Sequence, residues 1–205
     1  MKKFLLAILL VGLVAPFAAA EIVVSVGSND VLANTANQQI DILISSDPGD
    51  PDLSGMNLRV TIGDGLGPML EPVFQGAEGS LDGFSVTGSI FDVPGAVESG
   101  EGPVNGAPSL INGGVTTPTN VNANGVLISL FVDTTGFFDV GSFDLVFSNV
   151  LGDTELLGPI GSATPLPGVV FENGTINITA AVPEPSGMVV LGALACVGLV
   201  RRRRV

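Results

Sequence analysis

The 205-residue chain contains no His, Trp or Tyr, and its single Cys is Cys196. These absences exclude an intrachain disulfide, a zinc site built from His or Cys ligands, and a Ser-His-Asp triad. A cysteine nucleophile is also excluded from the body of the chain, because Cys196 lies within the last ten residues. Phe supplies every aromatic side chain, with 11 residues.

Basic residues are also scarce. The chain has 7 Lys and Arg residues against 20 Asp and Glu residues, a formal net charge of −13. Six of the basic residues lie at the two ends, and Arg59 is the seventh. Residues 21–182 therefore carry 19 acidic residues and one basic residue, a net charge of −18. Because nucleic-acid binding depends on clustered Lys and Arg, this acidity excludes a nucleic-acid partner.

Residues 1–20 have the organisation of a secretory signal peptide. Two lysines precede an apolar run, Phe4 to Val14, and Ala18 to Ala20 supply the small residues of a cleavage site. We expect export through the Sec translocon and a mature chain that begins near Glu21. The competing interpretation is an uncleaved N-terminal anchor, which the short apolar run and the alanine pattern disfavour.

A second apolar run, Gly187 to Val200, is followed directly by four arginines: Arg201, Arg202, Arg203 and Arg204. A helix of this length covers about 21 Å of the roughly 30 Å hydrocarbon layer, so a membrane span requires arginine snorkelling or bilayer thinning. The arginines act as stop-transfer charges that stay in the cytoplasm, which places residues 21–181 outside. The alternative is a buried helix of a soluble domain. It is disfavoured because it would place four arginines beside a hydrophobic core.

A proline-rich motif precedes this apolar run: Val182, Pro183, Glu184, Pro185 and Ser186. The two prolines keep the motif extended, because each lacks an N–H donor and disfavours helix in the preceding residue. The motif, the helix over 187–200 and the Arg cluster over 201–205 together resemble the PEP-CTERM sorting signal. That resemblance covers residues 182–205.

The resemblance implies recognition by an exosortase, a membrane protease of the transpeptidase kind that processes the tail near the motif. It also implies a precursor anchored in the inner membrane of a Gram-negative-type envelope. The processed product is then expected at the cell surface or outside the cell.

Residues 21–181 predict one all-β domain. Apolar and polar residues alternate with a period of two in several segments, which is typical of strands with one buried face. Gly- and Pro-containing connections between seven to nine short strands predict a single antiparallel β-sandwich. The strands are expected near Ile22–Val26, Gln39–Ile44, Met56–Ile62, Met69–Gln75, Phe84–Phe91, Val126–Asp133 and Phe143–Phe147.

Two kinds of connection are expected in this domain. Val169–Glu172 and Thr175–Thr179 flank the dipeptide Asn173-Gly174, which favours a type I′ turn and predicts a β-hairpin. Val93–Thr119 and Gly152–Pro167 are rich in turn-forming residues and are predicted to be long loops.

The order of the strands resembles a cohesin-like domain. Immunoglobulin-like and carbohydrate-binding sandwiches share much of the pattern. The resemblance implies an adhesive module that binds a partner protein, and the sequence has no dockerin-like repeat that would imply a dockerin partner. It is carried by Gln39–Ile44, Ser54-Gly55-Met56-Asn57-Leu58, Gly125–Val132, Gly141–Phe147 and Asn173-Gly174-Thr175-Ile176.

The densest acidic cluster comprises Asp47, Asp50 and Asp52. Three converging carboxylates suit Ca²⁺, which takes oxygen ligands. The spacing differs from that of an EF-hand loop, and Asp and Pro favour turns without any metal. We therefore assign no metal ligand and no cofactor. A calcium- or glycan-binding module remains an alternative function.

No catalytic residue is assigned either. With 19 acidic residues in the body, some carboxylates lie close together by chance, so a glycosidase-like pair is a weak signal. The usual sugar-stacking residues, Trp and Tyr, are absent. We expect a structural or adhesive protein of the cell surface or extracellular matrix, with a polysaccharide or a surface protein as partner. A secreted polysaccharide-active enzyme is the alternative.

Three further residues have structural interpretations. Arg59, on an alternating strand, is expected to form a structural ion pair rather than a ligand anchor. Asn173 and Asn177 each begin an N-x-[ST] sequence and are expected to be hairpin and strand residues rather than glycosylation sites.

Replacing Pro183, Glu184 and Pro185 together by alanine tests the sorting motif. Export should be unaffected, because the signal peptide is intact, but the full-length chain should stay in the membrane. Mass spectrometry of the mature C-terminus measures this. Finding Arg201 to Arg204 on released wild-type protein would show that the motif is not a processing signal.

Overall fold

A computed structural model describes six ranges of the chain: 21–64, 72–76, 82–104, 107–150, 152–162 and 164–180. The signal peptide predicted over 1–20 and the sorting tail predicted over 182–205 lie outside these ranges. Within the ranges themselves, no helix has the length and apolar character needed to cross a membrane.

The described residues form thirteen strands. They are β1 (Val23–Ser25), β2 (Ser28–Leu32), β3 (Gln38–Ser45), β4 (Leu53–Ile62), β5 (Val73–Phe74), β6 (Phe84–Ser85), β7 (Val97–Val104), β8 (Ala107–Val121), β9 (Gly125–Asp133), β10 (Gly141–Phe147), β11 (Glu155–Leu157), β12 (Val170–Glu172) and β13 (Gly174–Thr179).

The strands form two sheets. The six-stranded sheet has the order β12-β1-β3-β9-β5, with β6 also paired to β9. The seven-stranded sheet has the order β2-β13-β10-β4-β8-β7, with β11 also paired to β4. The pairings between these strands are antiparallel except for β1 with β12 and β2 with β13, which are parallel. The all-β sandwich expected from the sequence is confirmed, and these two parallel pairs join the start of the domain to its end.

The core is built by the predicted alternation. In β4, Leu58, Val60 and Ile62 are almost fully buried, while Arg59 and Thr61 between them are partly exposed. The same hydrophobic cluster contains Ile40, Ile42, Leu130 and Val132 of the other sheet. Burial of each such side chain contributes about 1.5–3 kcal/mol, so packing of one sheet on the other stabilises the sandwich.

The central strand β9 has apolar residues at consecutive positions for a structural reason. Its pairing with β3 shifts register between Ile42 and Leu43, where the β9 partner changes from Ile128 to Val126. The extra residue of this bulge is Leu127, and both Leu127 and Ile128 are fully buried.

The loop predicted over Val93–Thr119 is wrong, because most of it forms β7 and β8. The glycines that indicated a loop fit within the sheet. At Gly113 an added Cβ would lie 2.5 Å from a ring carbon of Phe84, so the phenyl ring occupies the space that a side chain would take. At Gly114 it would lie 2.9 Å from the Asn57 side-chain oxygen. In the other predicted loop, Gly152–Pro167, the described residues contain one short strand, β11.

The hairpin predicted around Asn173-Gly174 is also wrong. β12 pairs with β1 in the six-stranded sheet, whereas β13 pairs with β10 and β2 in the seven-stranded sheet, so the chain crosses between sheets here. The Asn173 side-chain oxygen accepts a hydrogen bond from the Phe147 amide at 2.9 Å. The Thr175 amide donates to the Gly27 carbonyl at 2.8 Å, where the chain makes its other crossing.

Two predicted strands are shorter than expected. Of Met69–Gln75, the structure describes residues 72–75 and places β5 at Val73–Phe74. Of Phe84–Phe91, only the first two residues form β6. A turn then begins, in which the Ser89 amide donates to the Val86 carbonyl at 2.9 Å.

Replacing Gly174 by alanine tests this crossing. A Cβ at Gly174 would overlap the Gly27 carbonyl oxygen and lie 2.8 Å from the Val26 Cβ. Because the obstructing atoms are mostly backbone, we expect the free energy of unfolding to fall by about 1–3 kcal/mol in denaturant titrations. Gly141→Ala is the control, since its nearest atom would be 3.8 Å away. Equal stability of the two variants would contradict the close approach.

Candidate functional site

The outer face of the seven-stranded sheet presents a row of side chains to solvent. Val146 of β10 is paired with Thr61 of β4, and Thr61 is paired with Leu110 of β8. These three lie on the side of their strands opposite to the buried residues. They form a mainly apolar row across β10, β4 and β8, near the end of the sheet where β10 and β4 terminate.

Two open grooves lie on this face. The first, which we call the Arg59 groove, has a volume of about 570 Å³ and contains the Val146–Thr61–Leu110 row at its floor. The second, the Gly174 groove, has a volume of about 470 Å³ and lies beside the crossing at Gly27. Val146 and Asn173 line both, so the grooves adjoin.

The wall of the Arg59 groove is the loop after β10, which is bonded to the β4 backbone. The Ser148 amide donates to the Arg59 carbonyl at 2.9 Å. The Thr154 hydroxyl donates to the same carbonyl at 3.2 Å and accepts from the Arg59 amide at 3.3 Å. Both ends of the loop therefore attach to one residue of β4, which fixes the shape of the groove.

The Arg59 side chain supplies the positive charge of the groove. Its Nη1 lies 3.4 Å from Oδ2 of Asp153, and the two side chains are 40% and 26% exposed. The Ser148 hydroxyl donates to the same Asp153 oxygen at 2.8 Å. The structural ion pair predicted for Arg59 is confirmed. Since both groups face water, the pair contributes at most about 1 kcal/mol to stability.

The other acidic and amide residues singled out in the sequence lie elsewhere on the sandwich. Asp47 and Asp52 are exposed in the loop between β3 and β4. Asp50 Oδ2 accepts from the Asp47 amide at 2.6 Å, and the Asp50 amide donates to the Asp47 carbonyl at 3.1 Å. This is a turn held by its own side chain, as Asp favours. Across the six described ranges, no group of three His, Cys, Asp or Glu side chains is placed to hold a metal.

Asn177 belongs to a polar network on the outer face of the same sheet. Its Nδ2 donates to the Ser28 hydroxyl at 2.9 Å and to Asp30 Oδ1 at 3.2 Å, while its Oδ1 accepts from the Ser142 hydroxyl at 2.9 Å. These bonds tie β2, β13 and β10 together. Asn177 is therefore a strand residue, as predicted. Asn173 bonds to Phe147 at the crossing between the sheets, so it is structural but does not lie in the predicted hairpin.

Sequence reasoning did not single out Val146, which lines both grooves. A signal for it was present: Leu145 and Phe147 are buried, so the alternation of β10 places Val146 outward among polar residues. An apolar residue at an outward position is informative when its neighbours on that face are polar. The strands that flank Val146 could not be predicted, because they depend on the tertiary structure.

The sandwich is similar to cohesin modules of known structure. The seventh ScaB type I cohesin from Pseudobacteroides cellulosolvens superposes with a TM-score of 0.53 at 13% identity, covering 80% of this chain and 95% of that one. The third ScaC cohesin from Acetivibrio cellulolyticus, solved with the ScaB dockerin, gives 0.52 at 13% identity and covers 78% and 99%. The third ScaB cohesin of R. flavefaciens, solved with a group 1 dockerin, gives 0.52 at 15% identity and covers 82% and 100%.

At these identities the likeness establishes the fold and not the function. No protein-family model matches the chain, and comparison with curated protein sequences gives no match.

The turn at Asp47–Asp50 leads to a prediction about calcium. Because the Asp50 carboxylate already closes the turn and the other two are solvated, Ca²⁺ should raise the melting temperature no more than NaCl of equal ionic strength. Both should raise it slightly by screening the charge of −18. A specific site would instead add about 2.7 kcal/mol to the free energy of unfolding when the Ca²⁺ concentration is 100 times its Kd.

Scanning calorimetry with Ca²⁺, Mg²⁺ and matched NaCl measures this. A calcium-specific increment that disappears when Asp47, Asp50 and Asp52 are all replaced by Asn would contradict the prediction and identify a metal site.

Proposed function

We propose that this chain is an exported bacterial surface protein whose sandwich is a non-catalytic adhesive module. The observation that carries the proposal is the outer face of the seven-stranded sheet, where two adjoining grooves of about 570 and 470 Å³ lie on a rigid set of paired strands. A face of this kind offers an extended surface for a macromolecular partner rather than an enclosed pocket for a small substrate.

The ends of the chain supply the cellular context of the proposal. The signal peptide over 1–20 directs export, and the tail over 182–205 holds the precursor in the inner membrane with its arginines in the cytoplasm. An exosortase then processes the tail near Pro183-Glu184-Pro185. The product remains at the cell surface or enters the extracellular matrix of a Gram-negative-type envelope.

The fold supports a protein as the partner. Two of the similar structures are complexes in which a cohesin binds a dockerin, so this sandwich is compatible with binding a partner protein on its surface. A dockerin itself is not part of the proposal, because identities of 13% and 15% carry over the fold alone.

The charge of the sandwich restricts the partner. The domain has a net charge of −18, and the one basic side chain lies in the Arg59 groove, paired with Asp153. A highly acidic partner would therefore be repelled at long range. The partner is expected to be neutral or basic on the side that meets the grooves, and its apolar groups would meet the row of Val146, Thr61 and Leu110.

A pair of matched variants tests the proposal in cells that lack the native protein. Val146→Arg places a charge where the two grooves adjoin. Leu43→Arg makes the same change on the outer face of the opposite sheet, where Leu43 is 49% exposed. We expect wild type and Leu43→Arg to be retained by the cell surface or matrix, whereas Val146→Arg is exported but lost to the medium.

Equal retention of both variants would show that the groove face does not bind the partner. Release of sugars from a polysaccharide panel by the purified protein would favour the enzyme alternative. Correct export must be shown for each variant, because a misfolded variant also fails to be retained. The melting temperatures of the purified variants provide that control.

A further inference from the structure

Three exposed apolar side chains gather around the point where the last described strand ends. Leu32 is paired with Thr179, the last residue of β13. On the other side of β13, Gly141 is paired with Ile178, so the preceding residue Val140 also lies beside Thr179. We call this group the exit patch; its residues and their exposed fractions are Leu32 (45%), Phe138 (71%) and Val140 (63%).

Phe138 belongs to the same end of the sandwich. The carbonyl of its neighbour Phe137 accepts from the Asn34 amide at 2.9 Å, and the Ala33 amide, next to Asn34, donates to the Thr179 carbonyl at 2.8 Å. The loop that carries Phe138 is thus hydrogen-bonded to Asn34, whose neighbour Ala33 is hydrogen-bonded to the end of β13. Three of the seven large exposed apolar side chains among the described residues lie here.

The chain that continues from this end is short. Six residues, 181–186, separate Ala180 from the apolar run that begins at Gly187. Fully extended, six residues span at most about 20 Å. If the apolar run enters a membrane, the end of the sandwich that carries the exit patch lies within that distance of the bilayer.

We infer that the exit patch contacts the headgroup region of the lipid bilayer that holds the tail, an inference that rests on the membrane anchoring proposed above. Exposed aromatic and aliphatic side chains partition into that region, where their apolar surface leaves water. A second copy of the chain is a poorer occupant, because a stable interface buries about 1,200–2,000 Å² in total and three side chains provide far less.

Charge specifies the lipid. Asp139 lies between Phe138 and Val140 and is exposed, and Arg59, the one basic residue of 21–180, lies in the groove near the opposite end of the sheet. Anionic lipids repel such a surface. The patch therefore suits zwitterionic headgroups. It is too small to hold the protein by itself, since even one acyl chain anchors only marginally, and so it orients the domain while the tail anchors it.

This orientation has a consequence for the groove face. β10 runs from Gly141 beside the patch to Phe147, and the loop that walls the Arg59 groove follows at the far end. The Gly174 groove lies at the first residues of β13, also far from the patch. With the patch on the bilayer, both grooves lie at the end of the sandwich that is far from the membrane, where the bilayer leaves them accessible.

The absence of native Trp and Tyr makes a direct test simple, because one introduced tryptophan is then the sole strong fluorophore. Val140→Trp reports from the patch. Val150→Trp is the matched control, since Val150 is 59% exposed against 63% for Val140 and follows the opposite end of β10. Phe138→Trp is a second reporter from the patch, and melting temperatures show that each variant folds.

Each variant, with its complete tail, is reconstituted in phosphatidylcholine vesicles and separated by flotation. We expect tryptophan at 140 and 138, but not at 150, to emit at shorter wavelength in vesicles than in the same variant cleaved from its tail and free in solution. We also expect brominated lipid to quench the emission at 140 and 138. Adding phosphatidylglycerol should reduce the quenching at low salt.

The outcomes separate this inference from the anchoring on which it rests. Failure of the full chain to float with vesicles overturns the anchoring and the inference together. Flotation with equal quenching at positions 140 and 150 overturns the inference alone. A blue shift at 140 without quenching by brominated lipid also overturns it, and shows that protein covers the patch instead.

Discussion

Two crossings of the chain between the sheets, side by side at Gly27 and Gly174, determine how the rest of the domain is arranged. β1 and β12 pair in one sheet and β2 and β13 pair in the other, both in parallel, so the first and last segments cross together. The Thr175 amide bonds the Gly27 carbonyl at the crossing, and only glycine at 174 allows this approach. Because the first and last strands run in the same direction, the domain begins at one end and leaves at the other.

The elements that the sequence revealed are those whose signal is local. β4 and β10 alternate buried and more exposed residues over most of their length, and that alternation depends only on which face of each strand meets the core. β9 departs from it, because its bulge leaves four consecutive residues, Leu127 to Leu130, buried. β8 was not predicted because its glycines resemble those of a loop. Their role in the sheet depends on a side chain far away in the sequence, since the Phe84 ring occupies the space beside Gly113. Asn173-Gly174 has the local preference of a hairpin turn, but bonds to Phe147 and Gly27 override it. Tertiary contacts of this kind leave no periodic trace in the sequence.

The candidate face was predictable only in part, and for the same reason. Arg59 stood out because it is the one basic residue of the body, and its ion pair followed from that scarcity. Asp153 could not be chosen as its partner from 19 acidic residues, because the choice depends on the loop after β10 folding back onto the Arg59 backbone. The groove floor likewise depends on strand order, since Val146, Thr61 and Leu110 come from strands far apart in sequence.

Charge and edge chemistry together limit how such a domain makes contacts. The outer strand β2 is polar over Ser28–Asp30, and its Asp30 carboxylate is bonded to Asn177, which discourages another strand from pairing at that edge. The net charge of −18 also keeps copies of the domain apart at moderate salt. Strand addition at the β2 edge and simple charge attraction between copies are therefore disfavoured. The groove face offers shape and apolar complementarity instead. Asp153 already balances the Arg59 charge there, so a partner gains contact without having to neutralise an isolated cation.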